Sequence, residues 1–304
     1  MTPILIDTDP GQDDALAILL ALASPALSVA AITAVAGNVP VAQGAANARR
    51  ICDLAGCDVP VHAGASTPLV FALETAEFVC GPDGLAGATL PGPSRPPEAE
   101  HGALALLRHA RATPGLTLCA LGPLTNLALA VRLAPDLPGL LGRVIWMGGA
   151  LNLGNMTPAA EFNAWVDPHA VDIVLGAGLP LTIVGLHATH TVIADPTAAA
   201  RLAALRNRTG VAVHGWLTRP RPGGLGTAGH PMHDPCVIAA LLWPELFTQR
   251  ACHVAVETGA GPLRGRTTID WHGRLRLPPN AAVVEAIDAP TLFQRLIDAL
   301  ETLP

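Results

Sequence analysis

The chain has 304 residues, half of them apolar, a net charge of −6, no tyrosine and no lysine, so all eighteen basic side chains are arginine. The missing lysine excludes P-loop ATPases, Schiff-base aldolases and pyridoxal enzymes, each of which needs one. The acidic balance, with no basic stretch bearing aromatics, argues against nucleic acid as a partner. So large an apolar fraction fills a sizeable core, and with no linker to cut it the chain is expected to form a single domain over residues 1–304.

In chain order, residues 4–7 read as a buried strand and 13–23 as a helix. Between and around them Asp7, Asp9, Asp13 and Asp14 put four carboxylates into eight positions about a Pro10-Gly11 turn. In a partly buried site such acids raise one another's pKa values unless a cation sits among them. Only oxygen donors lie close by, which favours a hard metal over zinc. Residues 15–37 carry no charge and are long enough to span a bilayer, yet Ser24-Pro25 breaks the run and a β-branched stretch follows. The reading is helix, then a strand over 29–35, and no membrane partner. A helix over 41–55 comes next, then strands over 116–121, 144–147 and 181–184 that alternate with helices over 124–133 and 168–175. Residues 91–97 read as a surface loop and 218–230 as a long Pro/Gly-rich one. Residues 251–257, 265–270 and 281–287 predict a small antiparallel addition before a final helix. The fold class is therefore α/β: an open, mostly parallel central sheet with helices on both faces and a C-terminal antiparallel addition.

The polar clusters sit at the ends of predicted strands, where open α/β sheets bind ligands. Thr125 and Asn126 lie in a Gly122-Pro-Leu-Thr-Asn126 turn, where helix capping is the plainer reading. Asn155, Glu161 and Asn163 offer two amides and an acid suited to several hydroxyls. His233 and Asp234 precede an apolar helix, as ligand, acid–base pair or simple N-cap. The paired spacing of His187/His190 and His230/His233 lacks any zinc-ligand pattern. Cys80, in a Gly-rich turn, is either a nucleophile or an inert small hydrophobe. Six cysteines without a C-x-x-C pair read as reduced thiols of a cytoplasmic protein, and the N-terminus lacks the positive segment of a signal peptide.

The segment Asp7-Thr-Asp-Pro-Gly-Gln-Asp-Asp-Ala15 resembles the signature of the calcium-dependent nucleoside hydrolases. Ala36-Gly-Asn38, Gly122-Pro-Leu-Thr-Asn126, Met147-Gly-Gly149, Glu161-Phe-Asn163, Asp167-Pro168, His233-Asp-Pro-Cys236 and Pro278-Pro-Asn280 follow in that family's order. The resemblance implies hydrolysis of the N-glycosidic bond of ribonucleosides in a Rossmann-like fold. It implies Ca²⁺ held by Asp9, Asp14, Asp234 and the Thr125 carbonyl, with Asp9 also the base toward water. It places Asp13 and Asn163 on the ribose diol, Asn155 and Glu161 on the 5′-hydroxyl, and Asn38 and Met147 in the wall. His233 would face the leaving base and Asp7 would support the site from behind. A homodimer or homotetramer is implied as well. The chain departs from the pattern at Cys80, where many relatives carry His, at His187, where Asp is common, and in lacking a loop Tyr that Trp216 or His214 would replace.

Two rival readings, one of them an enzyme, fail on the residues. A haloacid-dehalogenase-type phosphatase needs a lysine beside its D-x-D, and an EF-hand needs its glycine one place later than Gly11. The remaining rival is a calcium-dependent nucleoside or ribose binding protein that has lost turnover.

Overall fold

The computed structural model describes residues 1–87, 90–194, 196–218 and 229–304; most of the predicted Pro/Gly-rich loop, residues 219–228, lies outside the described residues. The strands are β1 (Thr2–Thr8), β2 (Leu27–Ala34), β3 (Val61–Ala63), β4 (Leu116–Ala120), β5 (Leu141–Met147), β6 (Leu181–Val184), β7 (Ile193–Ala194), β8 (His230–Pro231), β9 (Phe247–Cys252), β10 (Val254–Val256), β11 (Thr267–Ile269) and β12 (Ala281–Ile287). The helices are α1 (Gln12–Ala23), α2 (Val41–Ala55), α3 (Glu77–Cys80), α4 (Gly102–Ala112), α5 (Thr125–Leu133), α6 (Phe162–Val166), α7 (Pro168–Gly176), α8 (Leu186–Thr189), α9 (Pro196–Ala203), α10 (Arg208–Thr218), α11 (Pro235–Leu242) and α12 (Ala289–Leu300).

Eight strands form one sheet in the order β3-β2-β1-β4-β5-β6-β12-β9. Every pairing is parallel except that of β12 with β9. A parallel sheet is covered on both faces, which is why β1 and β4 are buried without the alternation of a one-sided sheet: from Ile4 to Thr8 and from Leu116 to Ala120 every residue is buried, Asp7, Thr8 and Thr117 included. One apolar layer joins side chains of α1, α2, α11 and α12; the opposite one joins α4, α5 and α7. The uncharged stretch over 15–37 resolves as α1, buried along most of its length, followed by β2. No helix among the described residues is long and apolar enough to cross a membrane.

The predicted C-terminal addition is present with one refinement. Its strand β12 pairs parallel with β6 as well as antiparallel with β9, so it extends the main sheet, while β10 and β11 form a separate antiparallel pair. The helix boundaries follow local chemistry. Gly56, at φ +69°, ends α2 in the left-handed conformation that glycine adopts without strain. Asp167 caps α7 by accepting the Ala170 N–H, with Pro168 in the first turn.

From β1 the chain winds outward through β2 and β3 in one direction and through β4, β5 and β6 in the other. The strand order therefore reverses between β1 and β4, and a crevice opens at their carboxyl ends. The acidic turn follows β1, and the Gly122–Asn126 turn follows β4.

Candidate active site

The turn after β1 is knitted to the start of α1 through Asp14. Its Oδ1 accepts from Thr8 Oγ1 at 2.6 Å and the Asp9 N–H at 3.3 Å, and its Oδ2 from the Gly11 N–H at 3.0 Å. This is the reach of a first-turn acid back to its cap, extended here by Asn38, whose Nδ2 donates to Oδ2 at 3.2 Å. Asp13 points the other way. Its Oδ2 accepts the His233 N–H at 2.7 Å and the Asp234 N–H at 3.4 Å, so the start of α1 holds the start of α11 in place.

Asp9 lies between these contacts, almost wholly buried. The Asn38 N–H donates to its Oδ2 at 2.6 Å, while its buried Oδ1 has no hydrogen-bond partner among the described residues. Two glycines make room for it. A Cβ on Gly37 would stand 2.1 Å from Asp9 Oδ2, and one on Gly122 2.5 Å from Oδ1. Burial, and then the charge of Asp14, hold the Asp9 carboxyl well above its usual range. Asp234 is raised in the same way, first by burial and then by the charges of Asp14, Asp13 and Asp9. These hard oxygen donors, crowded and short of positive charge, fit a divalent cation of the calcium type. They are not yet a finished cage: among the described residues no three His, Cys, Asp or Glu side chains take up a metal-holding arrangement. The Thr125 hydroxyl donates to Asp167 Oδ2 at 2.7 Å, so any ligand role of Thr125 falls to its carbonyl.

Asp7 faces away, to Thr33 Oγ1 at 2.5 Å and Asn126 Nδ2 at 2.8 Å, and burial pushes its carboxyl up to about 7 against both hydrogen bonds. Asn126 also donates to the Ala34 carbonyl and accepts the Ala65 N–H. A residue expected merely to cap a helix thus ties together the ends of β1 and β2 and the loop beyond β3.

A cavity of about 220 Å³ opens beside the carboxylates. Of the predicted site residues, Asp13, Asp14, Asn38, Cys80, Met147, Asn155, Glu161, Asn163, His233 and Asp234 line it, whereas Asp9 and Thr125 do not. Asn163 is fixed by donating to the Leu121 and Met147 carbonyls at 2.8 and 3.0 Å. Glu161 caps α6: it accepts N–H bonds from Gly149, Asn163 and Ala164, yet burial outweighs them and pushes its carboxyl up to about 7. Asn155 Oδ1 accepts the Phe162 N–H at 2.9 Å.

Other expectations change. Trp216 is buried within α10 and neither it nor His214 lines the cavity, so neither stands in for the missing tyrosine. The side chain that does reach it is His190, whose ring lies 5.4 Å from that of His233. Phe78 and Phe162 also line the cavity; Phe78 carried no sequence signal beyond being a scarce aromatic, whereas Phe162 lies inside the Glu161-Phe-Asn163 motif. His187 Nε2 bonds the Val284 carbonyl at 2.8 Å, away from the cavity. The Cys80 thiol is pushed up to about 12 by burial, and its Sγ donates to the Ala76 carbonyl, so it is a wall and not a nucleophile. A larger cavity, of about 1110 Å³, lies between α2 and α10 and holds none of the clustered acids. Its Arg49 and Arg95 are occupied by Asp53 and Asp58.

Comparison with known proteins finds relatives along nearly the whole chain. Residues 4–294 match the inosine-uridine preferring nucleoside hydrolase family. The chain is 41% identical over 306 residues to the pyrimidine-specific ribonucleoside hydrolase RihA of Shewanella woodyi, covering 99% of this chain and 98% of that one. It is 40% identical over 302 residues to the non-specific ribonucleoside hydrolase RihC of Salmonella typhi, with the same coverage. The solved purine-preferring ribonucleoside hydrolase of Gardnerella vaginalis superposes with a TM-score of 0.92 at 28% identity, over 99% of this chain and 98% of that one. The match runs nearly end to end and spans every element that bears a site residue: this chain belongs to the inosine-uridine preferring nucleoside hydrolase family.

Proposed function

We propose that this protein hydrolyses the N-glycosidic bond of ribonucleosides to ribose and free base, with Ca²⁺ as its cofactor. The observation that carries the proposal is the buried Asp9 carboxyl, with one oxygen lacking a partner among the described residues, set beside Asp14 and Asp234 at a cavity walled by amides and an acid. Asp9, Asp14, Asp234 and the Thr125 carbonyl would hold the ion. Bound there, Ca²⁺ would supply the positive charge that steadies the acids, polarises the attacking water and orients the ribose diol. Asp9 takes the proton of that water as it attacks the anomeric carbon, the part a carboxylate plays in glycoside hydrolysis through an oxocarbenium-like state. Asp13 and Asn163 hold the 2′- and 3′-hydroxyls, Asn155 and Glu161 the 5′-hydroxyl. Asn38, Met147 and Cys80 form walls, and His233 faces the departing base.

The relatives named above differ in the base they prefer, so the proposal concerns the ribose and the bond rather than the base. The enzyme is proposed to work in the cytoplasm as a homodimer or homotetramer, its single domain spanning residues 1–304. Release of free ribose from a panel of nucleosides, with and without chelator, tests the reading. Calcium-dependent release is expected. Nucleoside binding by calorimetry with no ribose released would favour a calcium-dependent binding protein instead.

A further inference from the structure

We propose that Thr189 is a positioning residue: it decides which ring nitrogen of His233 carries hydrogen, so that Nε2–H is presented to the departing base. The inference rests on the reading that His233 faces the leaving group. Thr189 is the last residue of α8, just beyond β6, and is wholly buried. Its Oγ1 lies 2.8 Å from His233 Nδ1, and among the described residues that nitrogen is the hydroxyl's sole hydrogen-bond partner. The nearby Thr191 shows the usual alternative, its hydroxyl donating to the Ala188 carbonyl at 2.7 Å; Thr189 makes no such backbone bond.

A hydroxyl has one hydrogen to give, and a buried donor left without an acceptor is disfavoured far more than an unused lone pair. The Thr189 hydrogen therefore points at Nδ1. With Nδ1 accepting, the neutral ring must carry its hydrogen on Nε2. The ring is steadied from two other directions, by the His233 N–H on Asp13 Oδ2 and by the His190 ring packed against it. As the C1′–N bond breaks, its electron pair stays on the base nitrogen, and Nε2–H bonds an acceptor of the base as charge builds there. That hydrogen stays on the ring. The water oxygen bonds to C1′, its proton passes to Asp9 and leaves through solvent, and the base takes up a proton in turn.

The test compares Thr189→Val, nearly equal in volume but without the hydroxyl, with Thr189→Ser, which keeps it. Substrates are inosine, uridine and 4-nitrophenyl riboside, whose leaving group needs no help. For Thr189→Val, kcat on both nucleosides should fall about tenfold to a hundredfold, with 4-nitrophenyl riboside within about twofold, since only assisted departure is affected. KM should hold throughout, and Thr189→Ser should restore kcat. Equal losses on all substrates, no loss, or no rescue by serine would overturn the proposal. Should Thr189→Val fold poorly, ring ¹⁵N NMR of the wild-type protein decides: an Nε2–H tautomer of His233 is expected, and Nδ1–H overturns it. His233→Ala separates the two claims. Uniform losses there defeat the leaving-group reading itself, whereas a leaving-group-selective His233→Ala beside an indifferent Thr189→Val defeats only the role of Thr189.

Discussion

Asp9 combines burial, neighbouring negative charge and one oxygen unpartnered among the described residues, three features that a residue selected for stability would avoid. Two predictions follow from its surroundings. Asp9→Ala should lower kcat/KM by about 10²–10⁴-fold, the range of general-base catalysis, while leaving the melting temperature of the metal-free protein equal or higher. Near-wild-type turnover would remove Asp9 as the base. Gly122→Ala probes the same spot from the other side, because its Cβ would sit 2.5 Å from Asp9 Oδ1 and 3.1 Å from a Val35 methyl. The carboxyl has to move, so calcium affinity by titration calorimetry and turnover should fall together. Intact calcium binding in that variant would show that Asp9 is not a ligand.

Among the elements, α6 is five residues long, too short to hold together by itself, yet it carries Asn163 and begins at Glu161. Its support is Arg264, whose guanidinium lies 3.8 Å from the Phe71 ring centroid and 4.0 Å from that of Trp165 and donates to the Val166 carbonyl at 3.1 Å. The clamp fastens the loop over 66–76 onto α6, and that loop leads into the cavity wall at Ala76 and Phe78. Arg264→Ala should lower unfolding free energy in urea by about 2 kcal/mol, the scale of a desolvated cation–π contact, and raise KM for nucleosides. Arg264→Lys should recover only part of the loss, because an ammonium cannot stack as a planar guanidinium does. Full recovery would assign the clamp to charge alone.

At the scale of the whole molecule, the buried acids make stability depend on pH. Asp7 and Glu161 have folded carboxyls pushed to about 7 from ordinary values of 3.8 and 4.5. The folded state thus keeps protons that the unfolded chain has released. This contribution is fully present below about pH 4 and is lost as pH rises through about 7, on the order of 3 kcal/mol per group. Chelator-treated protein should therefore melt lower at pH 8 than at pH 5. Added calcium should raise the melting temperature more at pH 8, where protons no longer compete for Asp9 and Asp234. A melting temperature indifferent to both pH and calcium would contradict the cation reading of the acidic cluster.

Much of this architecture was legible in the chain itself. The buried strands announce themselves because a parallel sheet covered on both faces needs largely apolar runs, while α7 opens on the Asp167-Pro168 cap and α2 closes on Gly56. The acidic turn after β1 was legible too, since four carboxylates so close together have few neutral explanations. What sequence could not supply were contacts between residues far apart along the chain. Asn126 bridging Asp7 and the Ala34 carbonyl, Arg264 stacked on Phe71 and Trp165, and Thr189 meeting His233 across 44 positions depend on which strand lies beside which. Local propensity and periodicity act over a few residues, whereas burial, hydrogen-bond satisfaction and mutual charge are settled only when the sheet brings its carboxyl ends together. The sequence by itself determined the secondary structure and the chemical inventory; the tertiary structure decided that Asp9 is buried with an oxygen that no described residue meets, that Cys80 is a wall, and that His190 rather than Trp216 stands beside His233.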